Sequence, residues 1–170
     1  IWFLIALVVA IAGVAASTSN ALLIDEVIYI DMARAMAEQG AFAIAGDGGV
    51  EGSPALTKQL TLDVDGLAIP QYPSGYAVIA APVYALFGVR GLVLLNALSA
   101  IVARFLTHRI AVLLYRDRAL ATLAVAFLAS ASFLSAYAFA IWPHVLSLAL
   151  LLAGVERLLH GTNGPSPDLK

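Results

Sequence analysis

The chain has 170 residues, 62% of them hydrophobic and only 12% charged. A soluble domain is about half apolar and about a quarter charged, so this composition is that of an integral membrane protein. The net charge of −2 comes without any basic run carrying interleaved aromatics, which excludes nucleic-acid binding, and the lack of cysteine excludes disulfide and thiol chemistry.

Residues 1–17 are apolar and read as a shortened first span of the membrane. The chain opens in mid-span, and is read as the N-terminal part of a longer protein. Val14-Ala15-Ala16 before Ser17 has the form of a signal-peptidase site, but no charged region precedes the apolar stretch.

A long polar stretch, residues 18–90, follows. Asp25 to Gln39 has helical character. Tyr29, Met32, Ala33 and Met36 fall on one apolar face, while Asp31, Arg34 and Glu38 fall on the other. Asp25 and Glu26 sit in the first turn, where acids suit the helix dipole, and Gly40 is a natural stop. The Gly-rich run 45–53 lacks the strand and the Lys-Ser/Thr of a phosphate-cradling loop. Residues 60–69 alternate about a turn at Asp65-Gly66 and predict a short hairpin. Asp63 and Asp65 hint at a calcium loop, but the other ligand positions are missing. Residues 75–88 form a short apolar run with Pro82 inside. They read as a helix lying in the membrane interface, anchored by Tyr76 and Tyr84.

Three further spans are predicted, over 91–115, 119–141 and 144–159, with a polar tail at 160–170. The third is rich in small residues, among them Ala126, Ala129, Ser132 and Ser135, which let helices approach closely. Within the second, Arg104 is expected to snorkel towards the cytoplasm, and Asn96 to meet a headgroup or another helix. Between Ser17 and Gly91 there are 8 acids against 3 bases, whereas Arg116-Asp117-Arg118 forms a basic turn. The positive-inside rule puts that turn in the cytoplasm and the long loop outside. The expected fold is therefore an all-α membrane bundle of about four spans, with two juxtamembrane helices at 25–39 and 75–88 on the outer loop.

The order of these features carries more information than any one of them. A span is followed by Asp25-Glu26, then by Tyr29 and an Ala-x-x-Met-Ala-x-x-Gly run ending at Gly40. Later come Tyr72-Pro73-Ser74-Gly75-Tyr76, Leu86-Phe87-Gly88 and Leu114-Tyr115-Arg116-Asp117-Arg118. The series resembles the C-type-fold integral membrane glycosyltransferases, most of all the aminoarabinose transferase and protein O-mannosyltransferase branch. The resemblance implies an inverting transfer of a sugar from a polyprenyl-phosphate carrier to an acceptor hydroxyl on a lipid, glycan or protein. It implies a site on the outer face, in the periplasm or outside, and no nucleotide cofactor. Asp25 matches the family's leading acid.

Asp25 and Glu26 are thus the candidate catalytic residues, Asp25 as general base for a poorly nucleophilic hydroxyl. Tyr29, Arg34, Lys58, Tyr72, Tyr76 and His144 are the candidate substrate-binding side chains. The leaving phosphate carries negative charge, and a divalent metal ion on Glu26 and His144 would offset it. Two positions depart from the family pattern. Gln71-Tyr72 precede Pro73 where relatives carry an acid or Lys, and His144 follows Pro143 where relatives carry an acid. Two other readings stay open: a non-catalytic transporter or assembly subunit, and a surface-glycan ligase or polymerase of related fold. Transporters tend to show broken helices and paired repeats, and no internal repeat is visible.

Overall fold

The computed structural model describes residues 7–8, 11–15, 24–45 and 60–163. Helix α1 spans Ile24–Gln39. It ends where Gly40 takes φ 65° and its N–H reaches the Met36 carbonyl at 3.1 Å, a left-handed stop that glycine adopts without steric cost. The hairpin expected over 60–69 forms, and a further short strand joins it, so the helical fold also carries a small antiparallel sheet. Its strands are β1 (Ile44–Ala45), β2 (Thr61–Val64) and β3 (Leu67–Pro70), in the order β1-β3-β2. The β2–β3 hairpin turns at Asp65-Gly66, both at positive φ, as a two-residue turn requires. Asp63 Oδ1 accepts the Gly66 N–H at 3.1 Å. The Gln71 N–H donates to the Leu60 carbonyl at 3.1 Å and closes the hairpin's base.

Helix α2 runs Gly75–Tyr115. It covers both the expected interfacial helix and the expected second span, but its backbone leaves helical geometry at Gly88, with φ 59° and ψ −149°. Only glycine enters that region cheaply. The bend also brings Gly91 so close to the preceding turn that a Cβ there would meet the Val83 carbonyl oxygen at 2.7 Å. Gly88 therefore makes the kink and Gly91 makes room for it.

Asp117 caps helix α3, Arg118–Ser130, accepting from the Ala119 N–H at 2.7 Å and the Leu120 N–H at 3.2 Å. The continuous span expected over 119–141 is instead interrupted. At 13 residues α3 is about 20 Å long, short of the roughly 30 Å hydrocarbon core. A bend and the four-residue helix α4, Leu134–Tyr137, follow it. Serine side chains explain the break, because their hydroxyls compete with the helical ladder. Ser132 Oγ donates to the Leu128 carbonyl and accepts the Leu134 N–H, and Ser135 Oγ donates to the Ala129 carbonyl at 2.6 Å. Arg104, on α2, is half-buried. Its Nη2 donates to Ser135 Oγ at 3.0 Å and holds the broken segment against α2. Helix α5, His144–Asn163, completes the described chain.

Among the described residues, two helical segments, Gly75–Tyr115 and His144–Gly161, are long and apolar enough to cross a membrane. Helix α2 is the hub, packing against α1, α3 and α5. Its buried face is built on Ala77, Ala80, Ala97, Ala100 and Ala103, small side chains that permit close approach. The main cluster joins Ile28, Tyr29, Met32 and Ala33 of α1 to Tyr76, Leu92 and Val93 of α2. Asp31, expected on the polar face of α1, is buried with only 2% exposure. Neighbouring elements wrap α1 nearly all round between Ile28 and Ala33, so two-sided amphipathicity does not survive there.

Candidate active site at the start of the first helix

The α1 start, the β3–α2 connection and the loop before α5 meet at one place. The Tyr72 hydroxyl donates to Asp25 Oδ1 at 2.5 Å, across 47 residues of sequence. The carboxylate pushes the Tyr72 hydroxyl up to about 12, chiefly through that hydrogen bond. Tyr72 is therefore a neutral donor across the physiological range. Tyr29 lies edge-on to both Tyr72 and Tyr76, with ring centroids 5.2 and 5.4 Å apart. Such T-shaped pairs are the favoured arrangement of aromatic quadrupoles. Burial, and then the Asp25 charge, raise the ionisation of Tyr29 above its ordinary value. Tyr72 thus contacts the carboxylate directly, Tyr29 packs beside Tyr72, and Tyr76 joins the cluster through Tyr29, while Asp25 itself is half-buried.

Glu26 turns the other way. It is buried, and its Oε1 accepts the Ile141 N–H at 2.8 Å, across 115 residues. Asn96 grips the same loop: Nδ2 donates to the Ala140 carbonyl at 2.5 Å and to the Trp142 carbonyl at 2.8 Å. Irregular backbone buried among helices must have its polar groups satisfied. Glu26 and Asn96 supply three of those bonds to 140–142. The geometry makes Glu26 a tie between α1 and this loop.

The loop then presents an aromatic stack. His144 lies flat on Tyr137 at 5.2 Å and 9°, with Trp142 5.0 Å from His144. His144 is exposed at the first position of α5, and the Trp142 indole N–H is buried with no hydrogen-bond acceptor among the described residues. Ile141 links this stack to Glu26 by one hydrogen bond.

Of the sequence candidates, Asp25, Tyr29, Tyr72 and Tyr76 come together. Glu26 and His144 are connected to them through the 140–142 loop. Arg34 stands apart: its Nε bonds Glu38 Oε1 at 3.1 Å on the exposed face of α1, and that partner raises its already high ionisation further. Lys58 lies outside the described residues. Among the described residues no three His, Asp or Glu side chains converge into a metal-binding group. Sequence reasoning missed the grip of Asn96 on Ala140 and Trp142. The only signal was an amide inside an apolar helix, which in a membrane or a core needs a partner. No family model matches the chain, and no curated protein or solved structure matches it either.

Proposed function

We propose that this chain is part of a multi-spanning glycosyltransferase that takes a sugar from a polyprenyl-phosphate carrier and passes it to an acceptor hydroxyl. The observation that carries this reading is the Asp25–Tyr72 pair, a carboxylate oriented by a neutral phenol at the junction of α1 with the apolar helix α2. The ordered sequence features give it its reaction class by resemblance. In the proposed arrangement about four spans cross the membrane, the Arg116–Arg118 turn faces the cytoplasm, and Asp25 lies at the outer surface.

The chemistry follows from what Asp25 can accept. The acceptor hydroxyl gives its proton to the Asp25 carboxylate as its oxygen bonds to the sugar's anomeric carbon. The bond from that carbon to the carrier's phosphate breaks from the opposite side, and the phosphate leaves with the electron pair, inverting the centre. Tyr72 fixes the orientation of the carboxylate, which matters because small misplacements of a reacting group cost large factors in rate. The tyrosine cluster offers flat apolar surface and hydroxyls to a sugar ring, and His144 with Trp142 offers a second such surface. Lys58 and Arg34 are the nearest bases in sequence for the departing phosphate.

Asp25→Asn in the complete protein tests the reading. It keeps the shape and an acceptor for Tyr72 while removing the base. Transfer is expected to fall by about 100-fold or more, with unchanged membrane insertion by protease protection. Turnover at the wild-type rate would remove Asp25 from the mechanism.

A further inference from the structure

Some 13 residues beyond Asn96, about 20 Å along α2, a second constellation has nothing to do with Asp25. An open cavity of about 420 Å³ is lined by His108, Arg109, Val112, Leu113, Arg118 and His160. Behind it Glu156 is buried at 5% exposure on α5. Glu156 Oε1 lies 2.6 Å from Arg109 Nη2 and 3.2 Å from His160 Nε2, and those two nitrogens are 3.1 Å apart. The Arg109 guanidinium also lies 5.8 Å from the Phe105 ring centroid. The triad ties Arg109 to α5 at the cavity wall.

We propose that this cavity binds a phosphoryl anion, presented by the headgroup of an anionic membrane lipid. Two guanidiniums and one carboxylate leave a net positive charge even with both imidazoles neutral. Guanidinium N–H forks and imidazole N–H groups match phosphate oxygens in geometry and charge. Val112 and Leu113 give the same cavity an apolar wall, which a lipid's glycerol and first methylenes can cover and a free anion cannot use. Basic cavities between apolar helices at a membrane surface bind anionic headgroups for this reason. Arg118 is the cation least involved in structure, since Asp117 caps α3 through backbone N–H groups rather than through it. The site does not rest on the glycosyltransferase reading.

The test uses the full chain in mild detergent, with native mass spectrometry of lipid adducts. Phosphatidylglycerol and phosphatidylcholine are supplied at equal mole fraction, and inorganic phosphate is added in a separate competition arm. The wild type is expected to retain phosphatidylglycerol preferentially. Arg118→Gln lowers that preference about fivefold, the factor one surface arginine supplies. His108→Gln added to it lowers the preference further, with helicity by circular dichroism unchanged in both. Displacement of the lipid by millimolar phosphate would assign the site to the phosphoryl group itself, and no displacement would assign it to the whole headgroup. Equal retention of both lipids by the wild type, or an unaltered preference in the double variant, overturns the proposal.

Discussion

The two ends of α2 hold carboxylates in opposite ways. Near its start, Asp25 takes a hydrogen bond from a phenol; towards its far end, Glu156 sits between a guanidinium and an imidazole. A neutral donor orients a carboxylate without cancelling its charge, which leaves it able to accept a proton. A cation cancels the charge and turns the carboxylate into scaffold for whatever the remaining cations bind. In the proposed reading, the same side-chain chemistry would serve base catalysis at one end of a helix and anion recognition at the other, decided by the partner.

Substitutions at both ends can break that contrast. After Asp25→Asn, the largest effect is expected from Tyr72→Phe, which keeps the ring against Tyr29 and deletes only the hydroxyl. In the complete protein kcat should fall about 10–100-fold with KM nearly held, because orientation rather than binding is lost. A loss confined to KM would make Tyr72 a substrate contact only. The same variant identifies one titration. The Tyr72 ionisation is raised above its ordinary value of 10 to about 12, so the protonated form is favoured in the folded protein. Its contribution to stability is present below pH 10 and is lost as pH rises through about 12. Ultraviolet difference titration of wild type against Tyr72→Phe should reveal a phenol ionising later than free tyrosine.

Next in size is Glu26→Ala, which strands the buried Ile141 N–H. Thermal unfolding in detergent should register about 1–3 kcal/mol of destabilisation, and Glu26→Gln should recover much of it because the amide oxygen can still accept. Equal effects of Ala and Gln would mean that charge, not the hydrogen bond to Ile141, is what Glu26 supplies. The smallest effect belongs to Glu156→Gln. Its partners Arg109 and His160 are 45% and 48% exposed, so water takes over much of the interaction. The expected cost is about 1 kcal/mol or less. A larger loss than that of Glu26→Ala would reverse the ranking of the two ends.

Local chemistry made part of this legible in sequence. The acids at 25 and 26 with Gly40 bracket α1, Asp65-Gly66 marks the hairpin, and Asp117 marks the start of α3. Gly88 sits where the apolar run of 75–88 gives way to the following helix, and the backbone breaks there. Tertiary effects hid the rest. The interruption after Ser130 is invisible to hydropathy, since Ala, Ser and Phe residues keep 119–141 uniformly apolar while Ser132 and Ser135 redirect their hydroxyls to the backbone. Asp31 looked solvated because periodicity on one helix says nothing about neighbours that wrap both its faces. The pairing of Asp25 with Tyr72 depends on the β3–α2 connection folding back across 47 residues, a distance no local pattern reports.

The most direct measurement is a structure of the complete protein with a polyprenyl phosphate bound. The phosphate is expected beside Asp25 and Tyr72, within reach of the tyrosine cluster and of the Trp142–His144 stack. A polyprenyl phosphate seated only in the Arg109–Arg118 cavity, with the Asp25 region empty, would contradict the assignment of the transfer site to the start of α1.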